Sequence, residues 1–193
     1  MGSLETIFFP PLLSQSTLGD ANGSNACVVI SLLLGFAVKK SNYELDFSSW
    51  SALKDILLPI YCGAIDIGNY LYRTNKKSGF LHTAEALQIL SSNMLSLTEE
   101  RNVFFGTRDN SLLSYISDKR SECNDVVVVK GVAMSVFIDH TRIIFIDTHR
   151  NDQRGGKICS AKKLDFENLC KVFNFTIPND EVIYICSVLI NGE

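Results

Sequence analysis

The sequence predicts one α+β domain in which a central, cysteine-bearing helix packs on a mostly antiparallel sheet. Three observations carry this. Residues 27–39, "CVVISLLLGFAVK", are apolar almost all round, the pattern of a helix buried on every side. β-Branched and aromatic runs gather in the later part of the chain: "DVVVVK" (125–130), "AMSVFI" (133–138), "RIIFIDTH" (142–149) and "VIYICSVLI" (182–190). Helical patterns come first and strands second, which separates the two kinds of element rather than alternating them. At 193 residues the chain can bury one large core without covalent staples, and it reads as a single domain, 1–193.

Taken in order, residues 1–26 read as an irregular lead-in, most clearly over 1–13, because Pro10 and Pro11 oppose regular structure. Ser24 or Asn25 can cap the helix over 27–39, which puts Cys27 at about its second or third position. Residues 47–73 read as helical with a break at Pro59, since proline starts a helix well and continues one badly. "TNKKSG" (74–79) is a loop, 81–93 and 110–122 are further helices, and 102–106 is a short strand. "DHT" (139–141) connects the second and third apolar runs as a hairpin. A helix over about 163–173, "LDFENLCKVF" at its heart, separates the third run from the fourth and reads as core-facing rather than as a partner site.

Composition excludes several classes. Apolar residues make up 46% and charged residues 20%, and the net charge is −3 with the basic residues scattered. A dedicated nucleic-acid surface needs a basic stripe, so none is expected. No apolar run reaches the ~20 residues of a membrane-spanning helix. The start "MGSLETIFFPPLL" lacks the regions of a signal peptide. Gly2 and Thr6 fit a permissive acylation pattern that chance or a cloning remnant explains better. Six cysteines occur with no CxxC pair, and no two Cys or His residues stand at zinc-ligand spacing. They read as free thiols of an intracellular, reducing compartment, cytoplasmic or nuclear. "GDANGSN" (19–25) resembles a calcium loop through Asp20, Asn22 and Ser24, but Asn25 and Ser31 stand where Gly and a bidentate Glu belong. Through Gly19 and Gly23 it resembles a phosphate loop, but no Lys-Ser/Thr pair follows. The expectation is therefore no metal, no cofactor, and a monomer.

The chemistry lies in four residues. A thiol at a helix start sits among unpaired N–H groups and the positive end of the helix dipole, which favour the thiolate nucleophile. Those N–H groups can also hold the oxyanion of a tetrahedral intermediate. Cys27 meets this description, although a helix-start cysteine taken alone is more often a core residue. A nucleophilic cysteine needs a base and something to orient it. His82, near a helix start, reads as a surface or capping residue, and His140 reads as a solvated turn residue. His149 ends an apolar strand two positions after Asp147, so alternation puts both on one face, together with Ile143 and Phe145. An acid in that place can fix the tautomer of the imidazole. The same pair also suits an ordinary polar strand end. Gln15, twelve positions before Cys27, offers a side-chain amide as a further oxyanion donor, or is a plain loop residue.

Together these residues resemble one family. Gln15, then Cys27 at the head of "NACVVISLLL", then Asp147-Thr148-His149 closing "IIFIDTH" look like the ubiquitin-specific cysteine protease domain at the N-terminus of herpesvirus large tegument proteins, and like tegument-like deubiquitinases outside viruses. The hairpin "GVAMSVFIDHTRIIFIDTH" is similar to the strand pair of that family. The resemblance runs from residue 14 to about 150, in short blocks. It implies a papain-like fold and hydrolysis of the (iso)peptide bond after the C-terminal glycine of ubiquitin. Cys27 would be the nucleophile, His149 the general base and acid, Asp147 its orienter and Gln15 the oxyanion donor. Ubiquitin or its chains would be the partner. Arg150 follows His149 where several deubiquitinase classes carry an aromatic residue. The alternatives are a cysteine protease or acyltransferase acting on another ubiquitin-like protein or peptide, and an inactive ubiquitin-binding relative.

Overall fold

The computed structural model describes residues 5–18, 25–40, 50–75, 79–92, 97–107, 123–129, 132–138, 142–150, 153–162 and 182–190. They form three helices, α1 (Cys27–Lys40), α2 (Trp50–Asn75) and α3 (Thr83–Ser92). Seven strands accompany them: β1 (Glu5–Phe8), β2 (Leu97–Thr107), β3 (Cys123–Val129), β4 (Val132–Ile138), β5 (Arg142–Asp147), β6 (Lys157–Lys162) and β7 (Val182–Ile190). The strands make one sheet in the order β1-β6-β5-β4-β3-β7-β2, and each pairing in it is antiparallel. The architecture is thus a mixed α+β domain with an antiparallel sheet. The expected helices over 110–122 and 163–173, and the 139–141 connection with His140, lie outside the described residues.

α1 lies at the centre. It packs against β4, β3 and β7 on one side and against α2 and α3 on the other. Every residue from Cys27 to Gly35 is buried. Each large apolar side chain so buried contributes roughly 1.5–3 kcal/mol, which explains why this segment needs no polar face. One buried polar tether fixes its height over the sheet: the Ser135 hydroxyl on β4 donates to the Ser31 carbonyl at 2.8 Å. A buried carbonyl that is already part of a helix has a second lone pair to give, so the tether costs α1 nothing.

α2 differs from expectation: it runs from Trp50 to Asn75 straight through Pro59. A proline inside a helix removes one hydrogen bond and costs about 3 kcal/mol in an average setting. Here Pro59 and Asp55, whose carbonyl loses its donor, are both exposed, so water can satisfy that carbonyl. The buried stripe Leu57, Tyr61, Ala64, Ile65, Gly68, Asn69 and Tyr72 follows the helical period on the other side and holds the helix together. α3 shows the same logic on a smaller scale, burying Thr83, Ala86, Leu87 and Leu90. His82 caps it: its carbonyl accepts from Ala86 N–H at 3.0 Å and its own N–H donates to Glu85 Oε2 at 2.9 Å.

Three strands depart from the sequence reading. β2 is longer than 102–106 and bears two register shifts, at Leu97/Glu99 and Asn102/Phe104. As an edge strand it tolerates the charges of "TEER" that obscure it in the sequence. β1 and β6 are both additions to that reading. β1 is only four residues long, inside the expected irregular lead-in, and pairs with β6 from Glu5↔Ser160 to Phe8↔Lys157. Its lack of a repeating pattern and the prolines after it leave no signal in isolation.

Where α2 crosses α1, Gly68 stands against Ile30. A methyl group added at Gly68 would overlap Ile30 Cγ1 and approach its Cα to 3.3 Å. Gly68→Ala should therefore destabilise the protein by about 1–3 kcal/mol through forced separation of the helices. In an Ile30→Ala background the same substitution should cost less, because Cγ1 is gone. Urea melts of the four variants of this cycle measure the difference.

Candidate active site

Cys27 is the first residue of α1, not the second or third. The Ala26 carbonyl accepts the first helical bond, from Ile30 N–H at 2.9 Å. Ala26 itself is completely buried. Ser24, one of the two expected caps, lies outside the described residues, and Asn25 precedes the helix as a half-buried bend. The N–H groups of residues 27–29 consequently have no acceptor within the helix and lie at its positive end.

His149 and Asp147 meet, but not through strand alternation. β5 ends at Asp147, and Asp147 Oδ1 accepts both from the backbone N–H of His149 at 2.9 Å and from its imidazole Nδ1 at 2.7 Å. The first bond closes an Asx turn, in which the carboxylate replaces a backbone carbonyl and turns the chain. The second fixes Nδ1 as the protonated nitrogen and leaves Nε2 free for chemistry. Ile143 and Phe145 are buried, at 0% and 2% exposed. Both faces of β5 are buried, and it is Ile144 and Ile146 that join the cluster around α1.

The imidazole also hydrogen-bonds to the Cys27 side chain. Burial draws the His149 pKa down, but the hydrogen bonds to Asp147 and Cys27 and the charges on both raise it further, and the net result is about 9. A histidine so placed is largely protonated at neutral pH and stabilises a neighbouring thiolate. The His149 side chain keeps 25% of its surface exposed, so the pair opens to solvent on that side, whereas Cys27 is only 2% exposed. Cys62 and Cys159 suit nucleophilic work poorly. Burial pushes Cys159 up to about 11, and burial with the charge of Asp66 raises Cys62.

Gln15 is brought to this site by residues 9–18, a bonded series of turns and bends after β1. Phe9 N–H donates to the Gly156 carbonyl at 2.9 Å, Gly155 N–H to the Phe9 carbonyl at 2.9 Å, and Gly156 N–H to the Leu13 carbonyl at 3.0 Å. Gln15 N–H then donates to the Thr148 carbonyl at 2.8 Å. α2 holds the same loop from the other side. Tyr61 Oη donates to the Leu13 carbonyl at 3.0 Å, and Asn69 Nδ2 donates to the carbonyls of Gln15 at 2.9 Å and Leu18 at 3.0 Å. Burial, with Asp147 nearby, keeps the Tyr61 phenol protonated far beyond its ordinary range. The Gln15 side chain is itself held: the Thr148 hydroxyl donates to Gln15 Oε1 at 2.9 Å.

The structure therefore brings Cys27, Asp147, His149 and Gln15 into one network. His82 is exposed at the start of α3 and takes no part. Thr148, Asn69, Tyr61 and Gly156 join the site without having been singled out by the sequence. The only signal for Thr148 is its place between two residues of the Asp-x-His segment. Among the described residues no group of three acidic, His or Cys side chains could hold a metal, and no helix is long and apolar enough to cross a membrane.

No protein-family model matches the chain, and no curated protein matches its sequence. Its fold is similar to that of the ubiquitin-specific protease encoded by murine cytomegalovirus tegument protein M48, crystallised in complex with a ubiquitin-based suicide substrate. The two share 12% identity at a TM-score of 0.59, over 95% of this chain and 84% of that one.

The His149 geometry has a direct consequence for titration. Its ring signals in NMR should titrate near the raised value of about 9 rather than near an ordinary ~6.5. Asp147→Asn and Cys27→Ala should each lower that midpoint. Because the folded-state pKa is raised, the stability this group contributes is fully present below about pH 6.5 and is lost as pH rises through about 9. Melting temperatures of wild type and Asp147→Asn should accordingly converge on the alkaline side.

Proposed function

We propose that the protein is a deubiquitinase: a thiol-dependent peptidase of papain-like arrangement that cleaves the bond after the C-terminal glycine of ubiquitin. The observation that carries this reading is the hydrogen-bonded series Cys27, His149, Asp147, set at the start of a buried helix with Gln15 bonded to the same tripeptide. The likeness of fold to a ubiquitin-specific protease supports the choice of substrate.

In this mechanism the Cys27 thiolate attacks the glycine carbonyl carbon, forming a C–S bond while the carbonyl π electrons move to oxygen. The helix-start N–H groups and the Gln15 amide stabilise that oxyanion. His149 delivers its proton to the departing lysine or peptide amine as the C–N bond breaks, leaving a thioester and a neutral imidazole. The imidazole then takes a proton from water, whose oxygen attacks the thioester; the Cys27 thiolate leaves and the imidazolium is restored. Asp147 keeps its hydrogen bond to Nδ1 throughout and so holds the ring in place.

Ubiquitin bearing a C-terminal thiol-reactive electrophile should form one covalent adduct, at Cys27 by peptide mapping. An adduct at another cysteine would overturn Cys27 as the nucleophile, and reaction only with probes built on other ubiquitin-like proteins would assign the site to the alternative substrates. Gln15→Ala should lower kcat about a hundredfold and leave KM nearly unchanged, the signature of an interaction made in the transition state. His149→Ala should abolish turnover and Asp147→Asn should reduce it less. The thiolate–imidazolium pair needs its one shared proton, so kcat/KM should fall as pH rises through about 9.

A further inference from the structure

We propose that Thr148, the middle residue of the Asp-x-His segment, is a positioning residue that sets which end of the Gln15 carboxamide faces the reacting carbonyl. The inference rests on the deubiquitinase reading of this site and extends it to the control of the oxyanion donor.

A glutamine carboxamide is nearly symmetric in shape but opposite in charge at its two ends. Rotation about its last torsion exchanges a donor for an acceptor with little change in packing. For an oxyanion donor this exchange is ruinous, because a carbonyl oxygen would meet the developing negative charge. Something must therefore distinguish the two ends. Thr148 Oγ1 donates to Gln15 Oε1 at 2.9 Å, in a setting where Thr148 is 1% and Gln15 4% exposed. That bond assigns the oxygen to the Thr148 side and turns the NH₂ group away from it. In the exchanged orientation the hydroxyl could accept from the NH₂ group, but its own buried proton would have no acceptor among the described residues. A buried donor left unsatisfied is expensive, so the exchange is opposed.

The backbone leaves the side chain little other freedom. Gln15 N–H is bonded to the Thr148 carbonyl at 2.8 Å and its carbonyl to Asn69 Nδ2 at 2.9 Å. Thr148 thus grips Gln15 twice, once through its carbonyl and once through its hydroxyl. Its two neighbours, Asp147 and His149, meanwhile grip each other. One tripeptide positions both the proton-transfer pair and the oxyanion donor, so a displacement of one carries the other along.

The test is turnover of ubiquitin with a C-terminal 7-amino-4-methylcoumarin group. The variants are Thr148→Val and Thr148→Ser, each with Gln15 present and with Gln15→Ala. Valine keeps the branched shape and the backbone bond and removes only the hydroxyl. Thr148→Val should lower kcat about tenfold with KM within about twofold, and Thr148→Ser should restore most of the loss. In the Gln15→Ala background, Thr148→Val should change kcat by less than about twofold, because there is no carboxamide left to orient. Equal losses in both backgrounds would overturn the inference, as would a loss confined to KM or a Thr148→Val enzyme indistinguishable from wild type. Should Thr148→Val melt well below wild type, Thr148→Ala against Thr148→Ser gives the same comparison. A wild-type protein that neither turns over this substrate nor forms an adduct with the ubiquitin electrophile overturns the deubiquitinase reading itself, and the role of Thr148 with it.

Discussion

Phe9, Ser14 and Gln15 are buried after β1 without belonging to a sheet or a helix, and the rest of the site depends on how that is made possible. Phe9, Ser14 and Gln15 are each at most 4% exposed. Backbone groups taken out of water need partners, and the turns of this segment supply only some of their own, such as Leu13 N–H to the Pro10 carbonyl. The others come from two places far apart in the chain: the stretch from Thr148 to Gly156, and the inner face of α2 through Tyr61 and Asn69. Three segments that share no secondary structure are thereby held in register. The close approach this needs explains the paired glycines. A side chain at Gly155 would strike the carbonyls of Pro10 and Leu13, and one at Gly156 would strike Tyr61 and the Asp147 carbonyl. The constraint that satisfies a buried loop is the same one that sets Gln15 beside the Asp-x-His segment.

The electrostatics follow from where the sheet stops. Had β5 continued, His149 would have been carried along the strand direction. Instead the Asp147 carboxylate caps its own chain end and bends it, so the residue that orients the imidazole also shapes the turn that delivers it. The positive charge that Asp147 sustains on His149 is available to the Cys27 thiol at the N-terminal end of α1, where the helix dipole acts in the same direction. Turn, pair and helix end therefore contribute with one sign.

What is legible in the sequence divides along physical lines. α1 announces itself because full burial imposes an unbroken apolar run, and β7 falls at its observed limits, 182–190, where the β-branched and aromatic run begins and ends. Cys27, Asp147 and His149 are readable because few residue types can do such chemistry and the chain has only three histidines. Gln15 is visible only through its place before Cys27. The failures are all cases in which tertiary partners override a local rule. Pro59 stays inside α2 because the other side of that helix is buried, and β1 exists because β6 offers it an edge. The Asx turn reads as strand in the sequence because alternation describes a strand only until a side chain replaces the ladder. Asn69 and Tyr61 carry no mark, since their importance lies in carbonyls about fifty residues earlier in the chain.

Asn69 exposes the hierarchy among these demands. Both of its Nδ2 hydrogens are given to the lead-in, one to Gln15 and one to Leu18, while its Oδ1 is buried and finds no hydrogen-bond partner among the described residues. An unsatisfied buried acceptor costs about 1–3 kcal/mol, and each bond made returns about 1 kcal/mol net. By that reckoning the side chain gives α2 itself little stability. Its effect is positional: two carbonyls three residues apart are pinned to one point on a rigid helix, which fixes the curvature of the loop between them and hence the direction in which Gln15 leaves it. Gly68, immediately before Asn69, lets α2 approach α1 at Ile30, in the first turn after Cys27. Adjacent residues on one helix thus set the distance to the thiol-bearing helix and the course of the loop carrying the amide. The separation of Cys27 from Gln15 is accordingly a property of α2, the one element of the site that contributes no reacting group.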